Sequence, residues 1–273
     1  MKIFRTARPS LAIVAFAALA VFASHAAAEL SKEELAKLAQ NPVANLISIP
    51  FQNNTNFNVG PYNRTQDILN IQPVIPVHLN AEWNVITRTI APLIWQPGMA
   101  PGQDTTFGLG DIQFTAFLSP AKPEGVIWGV GAILQLPTHT SDVLGTDEWG
   151  IGPSFVALKI EKHWVYGALV NQVWGFAGPG SAPGINQFLL QPFVNYNIED
   201  GLYIVSAPII TANWEASSGN QWTVPLGGGV GKIFKIGGKL PLNVQAEAFY
   251  NIVSPNNGPD WSIRLQAQIL LPK

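Results

Sequence analysis

From Leu46 onward, apolar and polar residues alternate with a period of two along most of the chain. The pattern is cleanest near the end. There Ile263, Leu265, Ala267 and Ile269 share one face, and Ser262, Arg264, Gln266 and Gln268 share the other. Leu242, Val244, Ala246, Ala248 and Tyr250 oppose Asn243, Gln245, Glu247 and Asn251 in the same way. A period of two puts alternate side chains on opposite faces of a strand. It predicts strands at 46–58, 66–77, 81–95, 107–118, 125–137, 148–161, 163–176, 185–198, 202–215, 220–234, 240–253 and 260–271. In 125–137, 148–161 and 202–215 both faces are largely apolar, so the pattern leaves their inward face open. Pro73, Pro76, Pro153, Pro192, Pro208 and Pro225 fall inside these strands, where each removes a ladder donor and signals a bulge or a shifted boundary.

One segment has helical spacing instead. Ser31 and Glu34 in SKEELAKLAQ form a capping box, Leu30, Leu35 and Leu38 lie near one face, and Asn41-Pro42 ends the run. Its expected place is against the rim of the strand assembly, with a plug or docking element as the alternative.

No apolar run after the first residues approaches the ~20 residues of a membrane helix, and mean hydropathy is only +0.19. Yet charged residues are just 12% of the chain, about half of the ~25% usual in soluble domains. Few charges, nine Trp and alternating strands together predict a closed antiparallel transmembrane β-barrel of about 12 strands, all-β with a short N-terminal helix. The connections agree. If the N-terminus lies in the periplasm, most odd-numbered connections are longer than the even-numbered ones, as extracellular loops are. Trp95, Trp149, Trp174, Trp214, Trp222 and Trp261 then fall near extracellular strand ends, and Trp83, Trp128 and Trp164 near periplasmic ones. Two such girdles suit an indole ring, whose body prefers the interface while its N–H reaches water.

The start reads as a secretory signal: Lys2, Arg5 and Arg8, an apolar Leu11–Ala23, and small residues at Ala26–Ala28. The expected organisation is a signal peptide at 1–28, a periplasmic helix and lead-in at 29–45, and the barrel at 46–273, localised to the bacterial outer membrane. Loss of the signal takes the formal net charge from −2 to −5. A mildly acidic chain without a basic patch argues against nucleic acid. With no cysteine, thiol catalysis and cysteine–zinc sites are excluded. The expected partners are the lipid bilayer of the outer membrane, the barrel-insertion machinery and a small-molecule solute, with no cofactor.

Mid-strand charges carry the remaining chemistry, because a lipid-facing Lys or Arg costs about 2–4 kcal/mol at the midplane. Arg88, Asp111, Glu247 and Arg264 are therefore expected to face inward. Gln113, Asn243, Gln245 and Gln266 are expected to line the lumen with them. Hairpin counting puts Glu247 nearly opposite Gln266 and one step from Arg264, and Arg88 near Gln113 and Asp111. Such pairs could brace the lumen or form a selective constriction. His139 and Ser141 are the residues a hydrolase would use, but proximity in sequence does not make a triad. Gly227-Gly228-Gly229-Val230-Gly231 is no phosphate loop, since no helix start follows. It suits sharp curvature or a large lumenal side chain packed against backbone.

Gly108-Leu109-Gly110-Asp111-Ile112, the stretch SKEELAKLAQNPVANLISIPFQNNTNFNVGP with its Gln52-Asn53-Asn54-Thr55-Asn56, and Gly150-Ile151-Gly152-Pro153 carry a likeness. With them the chain resembles the bacterial outer-membrane family labelled MetA-pathway of phenol degradation, whose members are also called neuromedin U or transporter. The resemblance implies an outer-membrane barrel with a proposed part in moving small, aromatic or hydrophobic molecules. It supplies no catalytic residue. The leading expectation is a channel and not an enzyme, with a lipid hydrolase or a closed structural barrel as alternatives.

Overall fold

A computed structural model describes residues 30–179 and 184–271, so the signal segment expected at 1–28 lies outside the described residues. The described chain forms one antiparallel sheet that closes on itself. Its wall is built from β1 (Ile47–Val59), β2 (Arg64–Ile71, continued by Val74–His78), β3 (Trp83–Gln96) and β4 (Thr106–Leu109, continued by Ile112–Pro120). It continues through β5 (Val126–Leu136), β6 (Trp149–Glu161), β7 (Trp164–Ala177) and β8 (Asn186–Asn197). β9 (Leu202–Ser206, continued by Ile210–Asn213), β10 (Trp222–Ile236), β11 (Leu240–Val253) and β12 (Trp261–Leu271) complete it. β1 pairs with β12 from Ile47↔Leu271 to Phe57↔Trp261, which leaves no free edge. Closure satisfies the backbone of every strand without water.

Besides register shifts at Asn56/Val59, Trp149/Gly150 and Val224/Pro225, three places interrupt the ladder, and they differ in cause. At Gln72-Pro73 the register is unchanged, from Phe51↔Ile71 to Ser48↔Val74. Proline simply lacks the donor there, while its carbonyl still accepts from Thr89 N–H at 3.1 Å. At Ala207-Pro208-Ile209 the register is again kept, from Val194↔Ser206 to Leu190↔Ile210, so Pro208 falls opposite Pro192. Gly110-Asp111 is different. Pairing passes from Leu93↔Leu109 to Ile90↔Gln113, which leaves one extra residue in β4. That residue makes a β-bulge and re-aims the Asp111 side chain. Pro76, Pro153 and Pro192 sit within paired stretches, whereas Pro225 stands at a register shift of β10 against β11, as a proline in a strand signals.

The strands whose pattern left both faces open are resolved by burial. Ile133 of β5, Val156 and Leu158 of β6, and Tyr203 and Val205 of β9 point inward and are buried. Val130, Phe155 and Ile204 stand on the outer face and are exposed. Ile133 packs with Val173 and Ile185, and what makes the other inward apolar residues tolerable is the segment before β1. Helix α1 (Lys32–Ala39) carries the capping box: Ser31 Oγ accepts from Glu34 N–H at 3.1 Å, and Ser31 N–H donates to Glu34 Oε2 at 2.8 Å. The Ser31 backbone N–H, helped by its hydroxyl, holds the Glu34 carboxyl below its usual range.

The helix does not rest on the rim. Leu35, Ala36, Val43, Ala44 and Leu46 are buried in one core with Ile86, Phe117, Val156, Leu158, Tyr203, Ile233 and Leu270 from around the wall. Contacts of α1 fall on β8, β10 and β11, whereas Val43 meets Gly129 of β5 beside Phe117 of β4. The segment therefore crosses the lumen. Burying a Leu side chain stabilises by about 1.5–3 kcal/mol. A lumen end lined by apolar residues forgoes that gain unless chain fills it.

Candidate functional site: the lumen and its closures

Beyond this plug the lumen opens into a cavity of about 150 Å³. Arg88, Asn243, Gln245 and Gln266, all expected to line the lumen, line this cavity. Sequence reasoning missed Gln40, Asn41 and Pro42, which the plug contributes, together with Gln52, Gln72, Gln191 and Asn195. Gln52 could have been found from the even-numbered polar positions Gln52, Asn54 and Asn56 of β1. Gln40 and Asn41 could not, because nothing local says that the segment enters the barrel. The plug is held by polar ties at its edges. Gln40 and Asn197 exchange amide hydrogen bonds at 2.9 and 3.1 Å. Asp200, in the turn between β8 and β9, accepts from Lys32 at 2.5 Å and Lys232 at 3.0 Å. Those bonds hold the Asp200 carboxyl down at about 2.

Arg88 does not meet Asp111. It lies opposite Thr115 on β4 and Val74 on β2, and its Nη2 donates to Gln72 Oε1 at 2.5 Å. The expected proximity fails because the register puts Arg88 opposite Thr115, well along β4 from Asp111, whose side chain turns to the connection after β5. There the carboxylate accepts from the N–H groups of Thr138, His139 and Thr146 at 3.2, 3.3 and 2.7 Å. It also meets His139 Nδ1 at 2.9 Å and Thr146 Oγ1 at 3.3 Å. Gly145 packs so tightly over it that a Cβ would lie 2.5 Å from Asp111 Oδ1. Asp111 thus pins the 137–148 connection as a strap against the far end of β4. Leu144 of that strap is buried, and a Cβ on Gly110 would come within 3.0 Å of its carbonyl oxygen. Gln113 joins Gln135 at 3.3 Å just below.

Glu247 and Arg264 are direct cross-strand partners, one step closer than hairpin counting placed them. Their side chains meet at 3.3 Å and are 0% and 8% exposed. Both reach across to the broken ladder of β9. Glu247 Oε1 accepts from Ala207 N–H at 3.0 Å, and Arg264 Nη1 donates to Ala207 carbonyl oxygen at 2.8 Å. The pair therefore completes the hydrogen bonding that Pro208 interrupts, at a depth where an unpaired backbone group is costly. Gln245 donates to Glu247 at 2.6 Å, and Tyr203 donates to Asn243 at 2.7 Å. The Tyr203 ring lies against Gly231, where a Cβ would sit 2.2 Å from its Cζ. That contact accounts for one glycine of the 227–231 run.

His139 Nε2 faces Asp147 Oδ1 at 3.4 Å, so the ring stands between two carboxylates. No hydrogen bond joins it to Ser141 among the described residues. The tryptophans occupy strand ends: Trp95, Trp149, Trp174, Trp214, Trp222 and Trp261 towards the strap, and Trp83, Trp128 and Trp164 towards the plug. Several pack on aromatic neighbours, as in Phe57–Trp261 at 3.9 Å and Trp164–Tyr196 at 4.7 Å.

No family model matches the sequence, and no curated protein matches it. Among solved structures, a COG4313 outer membrane channel from Pseudomonas putida F1 aligns with TM-score 0.64 at 16% identity, covering 85% of this chain and 97% of that one. The fold is that of an outer-membrane β-barrel. Two phospholipases are also similar to this barrel. Outer membrane phospholipase A from Escherichia coli aligns with TM-score 0.44 at 11% identity, over 90% of this chain and 99% of that one. The Salmonella typhi phospholipase aligns with TM-score 0.42 at 12% identity, over 90% and 99%.

Proposed function

We propose that this outer-membrane barrel is a channel that passes small, aromatic or hydrophobic molecules along a narrow, gated lumen. The observation that carries this reading is the mixed polar and apolar cavity bounded on one side by a plug that does not belong to the wall. The plug is tied by side chains, and at the far end of β4 a strap is pinned on one carboxylate. Either can move while the sheet stays intact, which a purely structural barrel has no need of. In this reading the signal at 1–28 is removed, the insertion machinery places the barrel, and the plugged end faces the periplasm. The nine tryptophans form the two interfacial girdles. Arg88, Asp111, Gln113, Asn243, Gln245, Glu247, Arg264 and Gln266 face the solute path, with Asp111, Glu247 and Arg264 serving mainly to hold it in shape. The hydrolase reading has less support, because no hydrogen bond joins Ser141 to His139 among the described residues and the His139 ring stands between Asp111 and Asp147.

Liposome swelling with sugars, amino acids and small phenols tests the proposal. Flux above empty liposomes, increased by deleting residues 30–44, is the expected result. A folded, inserted barrel that moves no solute with or without that segment refutes passage.

A further inference from the structure

We propose that Arg88 and the cavity it faces bind a small monocarboxylate whose apolar body is about the size of a benzene ring. Arg88 projects from the middle of β3, and its guanidinium makes a single hydrogen bond, to Gln72. A guanidinium has five N–H donors and is always charged. Among the described residues it has no ion-pair partner, and no Asp or Glu lines the cavity. Arg264 shows the contrast. It also lies inside the barrel, but Glu247 neutralises it, and the Ala207 carbonyl and Asn54 occupy its other donors. Arg264 is a finished structural cation, whereas Arg88 keeps free donors aimed at a space.

The shape of that space narrows the class. Leu46, Val74, Phe193 and Val205 give it an apolar side, while Gln52 and Gln191 add amide donors and acceptors to its lining. Its volume of about 150 Å³ matches the engineered apolar cavity of about 150 Å³ that takes up benzene. A guanidinium presents a planar fork that fits a carboxylate through two parallel hydrogen bonds, and amides can serve the remaining lone pairs. An aromatic or short branched acid satisfies both halves of the cavity. A sugar is too large and too polar throughout, and an amine would meet Arg88 with like charge. The idea deepens the passage reading and names its solute class, but binding can be measured without transport.

The test is calorimetric titration of the folded full-length barrel, in an uncharged detergent, with benzoate and with its neutral isostere benzamide. Benzoate is expected to bind about tenfold or more tightly than benzamide, since a charged hydrogen-bonded contact is lost in the latter. Arg88→Gln should erase that preference and leave benzamide binding within about twofold, a change well under the 1.4 kcal/mol of a tenfold step. Equal affinities in the wild type, no benzoate binding, or a preference that survives Arg88→Gln each overturn the site. If Arg88→Gln fails to fold, the wild-type ratio decides. Swelling assays run in parallel separate the two ideas. Flux without benzoate binding removes the site alone, and binding without flux removes transport alone.

Discussion

Replacing Glu247 with alanine takes away two acceptors at once from the middle of the lumen. Arg264 Nη1 loses its carboxylate at 3.3 Å, and Ala207 N–H loses its partner at 3.0 Å beside a proline that already interrupts the ladder. Removing one member of a buried ion pair costs about 3–5 kcal/mol, because the other charge stays buried without its counter-ion. Here the lower end applies. Arg264 keeps the Ala207 carbonyl at 2.8 Å, Asn54 Oδ1 at 3.0 Å and the Phe249 ring at 4.8 Å. The expected loss is about 3 kcal/mol. It would be read as a shift in the urea midpoint of reversible unfolding in vesicles, with the m-value unchanged. Changing both partners, Glu247→Leu with Arg264→Met, removes the stranded charge and should cost less than the single change. A loss below about 1 kcal/mol for Glu247→Ala, in the range of an exposed pair, would refute the bracing role. So would single-mutant costs that simply add in the double variant, since coupled residues do not behave additively.

The remaining predictions concern the plug and the strap. Asp200 is held at about 2 by Lys32 and Lys232, below the ordinary Asp value of about 3.9. Its contribution to holding the plug is therefore complete above the ordinary value and is lost as pH falls through about 2. Single-channel conductance should rise over that acid window, and Asp200→Asn should show part of the rise at neutral pH. Unchanged conductance in Asp200→Asn would mean that the core contacts of Leu35 and Val43 hold the plug unaided. Asp111→Ala should free the strap and make 138–147 a site of limited proteolysis. It should cost about 1–3 kcal/mol, since the released N–H groups near the rim regain water. A strap that resists protease as well as the wild type would show that Leu144 anchors it without the carboxylate.

Much of the wall was legible in the linear pattern, for a local reason. A strand with lipid on one face and a polar lumen on the other must alternate, and β11 and β12 place Asn243, Gln245, Glu247, Arg264 and Gln266 inward as their alternation requires. Strand ends were legible because tryptophans and turn residues mark them within a few positions. The three strands with two apolar faces were not readable, since their inward side is defined by contact with a plug that is remote in sequence. The site was only partly legible. The cavity residues on alternating strands could be named, while those on the plug could not.

Alternation, low charge and a capping box were enough to specify a closed barrel of about twelve strands with a short helix before it. They act within one strand or one helical turn. Whether the helix lay on the rim or in the lumen, and which partner each buried charge chose, depended on distances across the barrel. Asp111, beside the one-residue bulge of β4, is spent on the strap, while the register of β3 on β4 puts Arg88 opposite Thr115, facing the cavity without a carboxylate. Pro208 breaks β9, and Glu247 and Arg264 reach across to its exposed backbone. Each outcome follows from satisfying buried polar groups in three dimensions, where a one-residue shift or a missing N–H changes which partner is within reach.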